Sequence, residues 1–212
     1  MKKMKRFLIP ILCLIVVFTM MGAPMEAQAF DKTAAKKKIS VTYKKLPNGV
    51  LAVYKNKNKT SVNLSATLRF LDADKNEFSK EKQKNRCLGA NATATFFFPT
   101  PRDEFGNCIN YSSYSGSFSV SKSKYKTYAK KIIISSELDT VEAKFAAMNS
   151  GTKTLSNIHA TFVFYNADGS AIRCFTKELN CFKKNSMEQF SISYPEDMAK
   201  PDKVKIYIDW AY

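Results

Sequence analysis

The chain repeats itself. The stretch Thr161-Phe162-Val163-Phe164-Tyr165-Asn166-Ala167-Asp168-Gly169 has a twin 94 residues earlier, Thr67-Leu68-Arg69-Phe70-Leu71-Asp72-Ala73-Asp74-Lys75. Both read as a strand running into an Asp-containing turn. The same offset relates Asn63 to Asn157, Leu64 to Ile158, Ala66 to Ala160, Cys87 to Cys181, Asn91 to Asn185, Phe96 to Phe190 and Pro101 to Pro195. A spacing held over about forty positions marks a duplicated unit. Whatever one copy folds into, the other must fold into as well.

The pattern inside each copy says what that is. Val62, Leu64, Ala66, Leu68 and Phe70 alternate with Ser61, Asn63, Ser65, Thr67 and Arg69, and Ile158, Ala160, Phe162 and Phe164 alternate with Asn157, His159 and Thr161. Alternation with a period of two predicts a strand with one face in a core and the other in water. Five further segments per copy are short, rich in β-branched or aromatic residues and bounded by turns: 38–43, 50–55, 77–82, 92–98 and 109–120, then 131–136, 141–148, 171–177, 186–194 and 204–210. Parity also places Trp210 with Val204, Ile206 and Ile208 in the core. No segment carries a helical period. The expected fold class is all-β: two tandem antiparallel β-sandwiches of about six strands each, at 30–120 and 130–212, joined by a linker at 121–129.

Phe162-Val163-Phe164-Tyr165-Asn166, followed by Ala-Asp-Gly and a later aromatic-rich strand, resembles the bacterial FxLYD-type immunoglobulin-like module. Phe164 stands where the motif has Leu and Asn166 where it has Asp; the first copy reads Leu68-Arg69-Phe70-Leu71-Asp72. The resemblance covers both repeats. It implies immunoglobulin-like sandwiches on an exported bacterial protein, and no shared catalytic residues.

The first residues point to export on their own. Lys2, Lys3, Lys5 and Arg6 precede an apolar run from Phe7 to Met21, and Ala27-Gln28-Ala29 follows as a small-x-small pattern. This predicts a signal peptide cleaved after Ala29 and a secreted or cell-wall-associated protein. The run is shorter than the roughly 20 residues needed to span a bilayer. Four cysteines then remain, Cys87, Cys108, Cys174 and Cys181, and an even number in an exported chain suggests disulfides. Of three possible connectivities, Cys87–Cys108 with Cys174–Cys181 keeps each bond within one repeat. Free thiols stay open as the alternative, because Cys108 and Cys174 have no counterpart in the other copy.

The chain carries 34 Lys and Arg against 18 Asp and Glu, a formal net charge of +16. Its lysines come in ladders: Lys55, Lys57 and Lys59; Lys80, Lys82 and Lys84, continued by Arg86; and Lys122, Lys124 and Lys126. On an extended backbone each set projects to one side. Such ladders guard sheet edges against aggregation. They also make a face for polyanions, such as anionic cell-envelope polymers, surface glycans or lipid headgroups. Nucleic acid fits poorly with export. A second candidate surface holds Tyr111, Tyr114, Tyr125 and Tyr128 among small polar residues, suited to a protein partner or else to packing inside a strand. An exposed sheet edge offers a partner the same opening.

Chemistry is sparse. His159 is the only histidine and is expected as a surface or edge residue. Asp72-x-Asp74-x-Asn76 opens like a calcium loop, but Glu77 replaces the required Gly and Gln83 the required Glu. There is no Gly-rich phosphate loop, Cys-x-x-Cys pair or nucleophile motif. No catalytic, cofactor or metal site is therefore expected, and the expected function is non-enzymatic binding.

Overall fold

A computed structural model describes residues 30–212, the Arg86 side chain excepted; the signal peptide read at 1–29 lies outside the described residues. The first half contains β1 (Ile39–Leu46), β2 (Gly49–Asn56), β3 (Val62–Leu71), β4 (Glu77–Leu88), β5 (Thr93–Pro99) and β6 (Ser113–Lys122). The second contains β7 (Ile132–Leu138), β8 (Glu142–Asn149), β9 (Leu155–Tyr165), β10 (Ala171–Phe182), β11 (Met187–Ser193) and β12 (Lys203–Ala211). Sheets run β1-β2-β5 and β4-β3-β6 in the first half, and β10-β9-β12 and β11-β8-β7 in the second. All pairings are antiparallel. The two halves thus have one topology: an all-β fold of two six-stranded sandwiches. Burial follows the alternation, with Val62, Leu64, Ala66, Leu68 and Phe70 inside and the residues between them half-buried.

One device pins both sandwiches. At the end of β2 the Asn56 amide donates to the carbonyls of Thr60 (3.0 Å), Leu88 (3.2 Å) and Gly89 (2.9 Å), while its Oδ1 accepts from Asn58 N–H (2.9 Å). At the end of β8 the Asn149 amide donates to Lys153 (2.9 Å), Phe182 (3.1 Å) and Lys183 (3.2 Å), and its Oδ1 accepts from Gly151 N–H (3.0 Å). A fully satisfied buried amide fixes the three chain segments that meet there.

The open side between the two sheets of the first sandwich is closed by aromatic rings. Tyr43 and Tyr54 approach hydroxyl to hydroxyl at 3.3 Å, and Tyr114 packs on Tyr43 at 6.0 Å between centroids. Gly116 makes room for this, since a Cβ there would come within 2.1 Å of the Tyr43 hydroxyl.

The two sandwiches share a seam within one compact unit, Asp31–Tyr212. Leu46, Leu51, Val53 and Phe97 of the first sandwich pack against Val163, Cys174, Tyr165, Ala171 and Tyr207 of the second. Asn48 Nδ2 donates to the Cys174 carbonyl (2.8 Å) and Asn85 Nδ2 to the Asp209 carbonyl (2.8 Å). The Asp209 side chain is fully buried in this seam. It accepts from the Thr95 N–H and hydroxyl on one side of the seam, and from the Thr161 hydroxyl and His159 Nδ1 on the other. A buried carboxylate is tolerated only when so supplied with donors.

Several expectations need correction. Lys32–Lys37 forms a short helix, α1, where no helix was read; Asp31 caps it, accepting from Ala34 N–H at 2.9 Å. Its only buried side chain is Ala35, too little apolar face to show as a period. The stretch 121–129 is no free linker. Ser121 and Lys122 complete β6, Tyr125 stacks on Tyr212 at 4.6 Å, and Tyr128 N–H donates to the Ala211 carbonyl (2.8 Å). Trp210 is not on the core face: a register shift between Ile208 and Trp210 turns it outward. It stacks on His159 there, with centroids 4.2 Å apart and an interplanar angle of 13°. His159 is accordingly half-buried at the seam rather than loose at the surface. One extra residue in a strand inverts every later parity assignment.

Among the described residues all four cysteines are free thiols, the alternative to the expected Cys87–Cys108 and Cys174–Cys181 pairing. Cys87 and Cys174 are buried in different places, the first directing its Sγ to the Tyr125 carbonyl (3.0 Å), the second inside the seam. Cys108 and Cys181 are exposed. Cys181 has a positive φ of 55°, which turns it away from its buried counterpart's position.

Candidate functional site

The strand register assembles one ordered basic face. On β3, inward parity belongs to the apolar residues, so Asn63, Ser65, Thr67 and Arg69 face out. β4 places Lys84 opposite Ser65, Lys82 opposite Thr67 and Lys80 opposite Arg69. β6 adds Ser119 opposite Ser65, Ser117 opposite Thr67 and Ser115 opposite Arg69. The outer face of β4-β3-β6 is therefore a grid of three rows, each a lysine, a hydroxyl or guanidinium, and a serine. All three lysines and all three serines are exposed. Like-facing residues on a strand recur every ~6.6 Å, which spaces the ammonium groups regularly.

Acidic groups do little to offset this row. Glu77 pairs with Arg69 Nε at 2.8 Å, an exposed pair that is worth little. Glu81 sits opposite Leu68 on the inner parity, and burial pushes its carboxyl above the usual range. A depression of about 270 Å³ lies on the grid, lined by Asn63, Ser65, Lys84, Ser119 and Ser121 among others. Within it Asn63 Oδ1 and Ser65 Oγ are buried without a hydrogen-bond partner. Orphaned polar atoms in such a place are what a bound polar group would satisfy.

The other predicted lysines are not part of the grid. Lys55 lies on β2, in the other sheet, and Lys57 and Lys59 follow in the adjoining turn. Lys122 ends β6 opposite Val62. Lys124 and Lys126 set their ammonium groups over the rings of Tyr125 (5.3 Å) and Tyr128 (6.0 Å). The predicted tyrosines likewise do not form one surface. Tyr111 and Tyr114 pack beside Phe70 and Tyr43, Tyr125 on Tyr212, and Tyr128 against the cluster around Ile132 and Leu179. Sequence reasoning missed Asp209, which looked like one more outward residue on a terminal strand.

The buried thiols are poorly placed for nucleophilic chemistry. Burial pushes Cys174 well above the usual thiol range, and the nearby Asp209 charge adds to it. Burial raises Cys87 too, partly opposed by hydrogen bonds from Ser123 and Ser61. Among the described residues no cluster of His, Cys, Asp and Glu could hold a metal ion.

Comparison with known proteins gives no family. No family model matches the chain, and no curated protein matches it. Among solved structures, red sea bream transglutaminase aligns over 88% of this chain and 34% of its own, at 10% identity and a TM-score of 0.29. Bacteroides uniformis β-glucuronidase 2 aligns over 85% of this chain and 27% of its own, at 12% identity and a TM-score of 0.22. The chain thus spans about a third or less of these proteins, and scores this low carry no argument about activity.

Proposed function

We propose that this protein is a non-enzymatic binding module that holds an anionic polymer across the outer face of β4-β3-β6. The observation behind this reading is the grid itself: Lys80, Lys82 and Lys84 in register with Arg69, Thr67 and Ser65, with serines completing each row. A regular row of cations beside hydroxyls suits a chain with repeated anionic groups, since ammonium groups meet charge while hydroxyls bridge. The signal-peptide pattern and the resemblance to exported FxLYD-type modules make an envelope polymer or surface glycan the ligand class, on a secreted bacterial protein. β4 is also an edge strand, so the same lysines guard an edge. The experiment must separate the two roles.

The test is co-sedimentation of the protein with bacterial cell walls, with and without their anionic polymers, over a salt series. Binding should need the polymer and fall steeply as the Debye length shrinks from about 10 Å at 0.1 M to about 3 Å at 1 M salt. The triple variant K80Q/K82Q/K84Q should lose most of that salt-dependent binding while its unfolding free energy moves by less than about 0.5 kcal/mol. Undiminished binding by the triple variant would overturn the reading.

A further inference from the structure

Sandwich one does not cover all of the β10-β9-β12 face. At one end the row Ala171–Tyr165–Lys203 reaches the rim of the seam, with Cys174–Val163–Lys205 as the next row in. Tyr165, Asn166, Ala167, Gly169, Asp202, Lys203 and Lys205 line a hollow of about 550 Å³ there. The first sandwich contributes as well, since Lys44 of β1 sets its Nζ 5.2 Å from the centroid of the Tyr165 ring. Lys205 Nζ lies 4.9 Å from the Tyr207 ring centroid. Two lysines, Lys203 and Lys205, thus line the hollow, a third, Lys44, sits over the Tyr165 ring, and Asp202 is the one carboxylate in the lining.

Three features define what would fit. The cations call for an anionic group, and two of the three, Lys203 and Lys205, line the hollow from exposed positions, with the Lys205 ammonium held beside it by a hydrogen bond to Tyr207. The half-buried Tyr165 ring offers a wall against which a flat, weakly polar ring face can lie. Asn166 supplies the third, because its Oδ1 is buried without any hydrogen-bond donor. An unpaired buried acceptor calls for a hydroxyl or amine. Phosphate alone meets the first requirement only, and a neutral sugar only the other two.

We infer that this hollow is a binding site for an anionic sugar unit, a pyranose bearing a carboxylate or phosphate, placed at the rim where the two sandwiches meet. Lys203 and Lys205 receive the anionic group, Tyr165 carries the ring, and Asn166 Oδ1 accepts from a ring hydroxyl. The site is separate from the β4-β3-β6 grid and does not depend on it.

Ligand-observed saturation-transfer NMR on the full protein tests this with four probes: glucuronate, glucose 6-phosphate, glucose and inorganic phosphate. Transfer to glucuronate and glucose 6-phosphate, with glucose at least tenfold weaker, is the expected result. Inorganic phosphate should not compete at equal concentration. The variant K203Q/K205Q, at exposed positions, should bind both anionic sugars at least tenfold more weakly with its melting temperature unchanged. K80Q/K82Q/K84Q should bind them as the parent does, which separates this site from the polymer face. Glucose binding as well as glucuronate, phosphate competing on equal terms, or unaltered binding by K203Q/K205Q would each overturn the assignment.

Discussion

The two sandwiches agree inside and disagree outside. Inward positions match in kind: Ala66 with Ala160, Phe70 with Phe164, Phe96 with Phe190, and Asn56 with Asn149 at the corner. Outward positions have been exchanged wholesale. On the sheet that contains β3 or β9, the first sandwich carries Arg69, Lys80, Lys82, Lys84 and Ser117 where the second carries Val163, Cys174, Thr176, Glu178 and Tyr207. On the other sheet the exchange runs in reverse, with Leu51, Val53 and Phe97 in the first sandwich opposed to Lys144, Ala146 and Ser191 in the second. Of four outer faces, those of β1-β2-β5 and β10-β9-β12 meet in the seam, through an apolar patch and the Asp209 cluster, while the other two are polar and stay wet. Inward parity fixes the fold, and outward parity fixes which faces pair and which are left to bind.

Moving one residue across this divide should have the largest effect. Val163→Arg installs at the seam the residue that the first sandwich carries on its open face. Val163 is fully buried, so an unpaired guanidinium there should cost more than about 4 kcal/mol. Trp210 is the only tryptophan and sits at the seam, so its fluorescence in a urea titration reports the loss. The expected result is two transitions in place of one, the first carrying the tryptophan change. A single, unshifted transition would mean that the seam contributes little. The reciprocal Arg69→Val should leave stability nearly unchanged.

Asp209→Ala comes next. It strands the Thr95 N–H, the Thr161 hydroxyl and the His159 ring, all of which now donate to one carboxylate. Loss of about 3 kcal/mol is expected from leaving such buried partners unmet, read by the same titration. The first sandwich has no equivalent, because its β4-β3-β6 face has no neighbour to bind. An effect below about 1 kcal/mol would place the strength of the seam in its apolar layer alone.

These two residues also mark the limits of what the sequence discloses. Strand count and the sandwich class follow from alternation, and the duplication follows from spacing, so both are legible. The pairing of faces was in principle legible too: Val163 and Tyr165 interrupt the polar parity of β9, as Leu51 and Val53 do that of β2. Their meaning emerges only when two such faces are seen to be complementary. Asp209 was not legible: parity puts it on the outward face with Lys205 and Tyr207, and it is buried only because the first sandwich, with Thr95, covers that part of the face. Of the lysine ladders, only Lys80, Lys82 and Lys84 stay on one strand throughout; the others run past a strand end, where period-two reasoning stops applying.

The thiols sharpen the comparison at no cost to the fold. Cys87 and Cys181 hold matching positions in the repeat, yet one is buried and the other exposed. A thiol-reactive chromogenic reagent should therefore modify Cys181 and Cys108 promptly in the native protein. Cys87 and Cys174, shielded and with their pKa values raised by burial, should react only on unfolding. Prompt reaction of all four would contradict the buried placement, and reaction of none even in denaturant would indicate disulfides.

The smallest effect lies in the paired turns after β3 and β9. Lys75 N–H donates to the Asp72 carbonyl, and Gly169 N–H to the Asn166 carbonyl, at the same place in each turn. Both residues are left-handed, with φ of 67° and 80°. Glycine adopts that region freely, whereas a residue with a Cβ is strained there by roughly 1 kcal/mol. Lys75→Gly trades that strain against the greater freedom of glycine in the unfolded chain, so a gain of only about 0.5 kcal/mol is expected. Gly169→Lys should lose about 0.5 kcal/mol by the same balance in reverse, since nothing lies within 4 Å of an added Cβ and no clash adds to the backbone strain. Opposite signs for the two exchanges, measured by thermal unfolding, would show that the repeats are equivalent down to a single turn dihedral. Equal signs would place the difference in the charge of Lys75 instead, and raising the salt concentration would then shift its effect while leaving that of Gly169 alone.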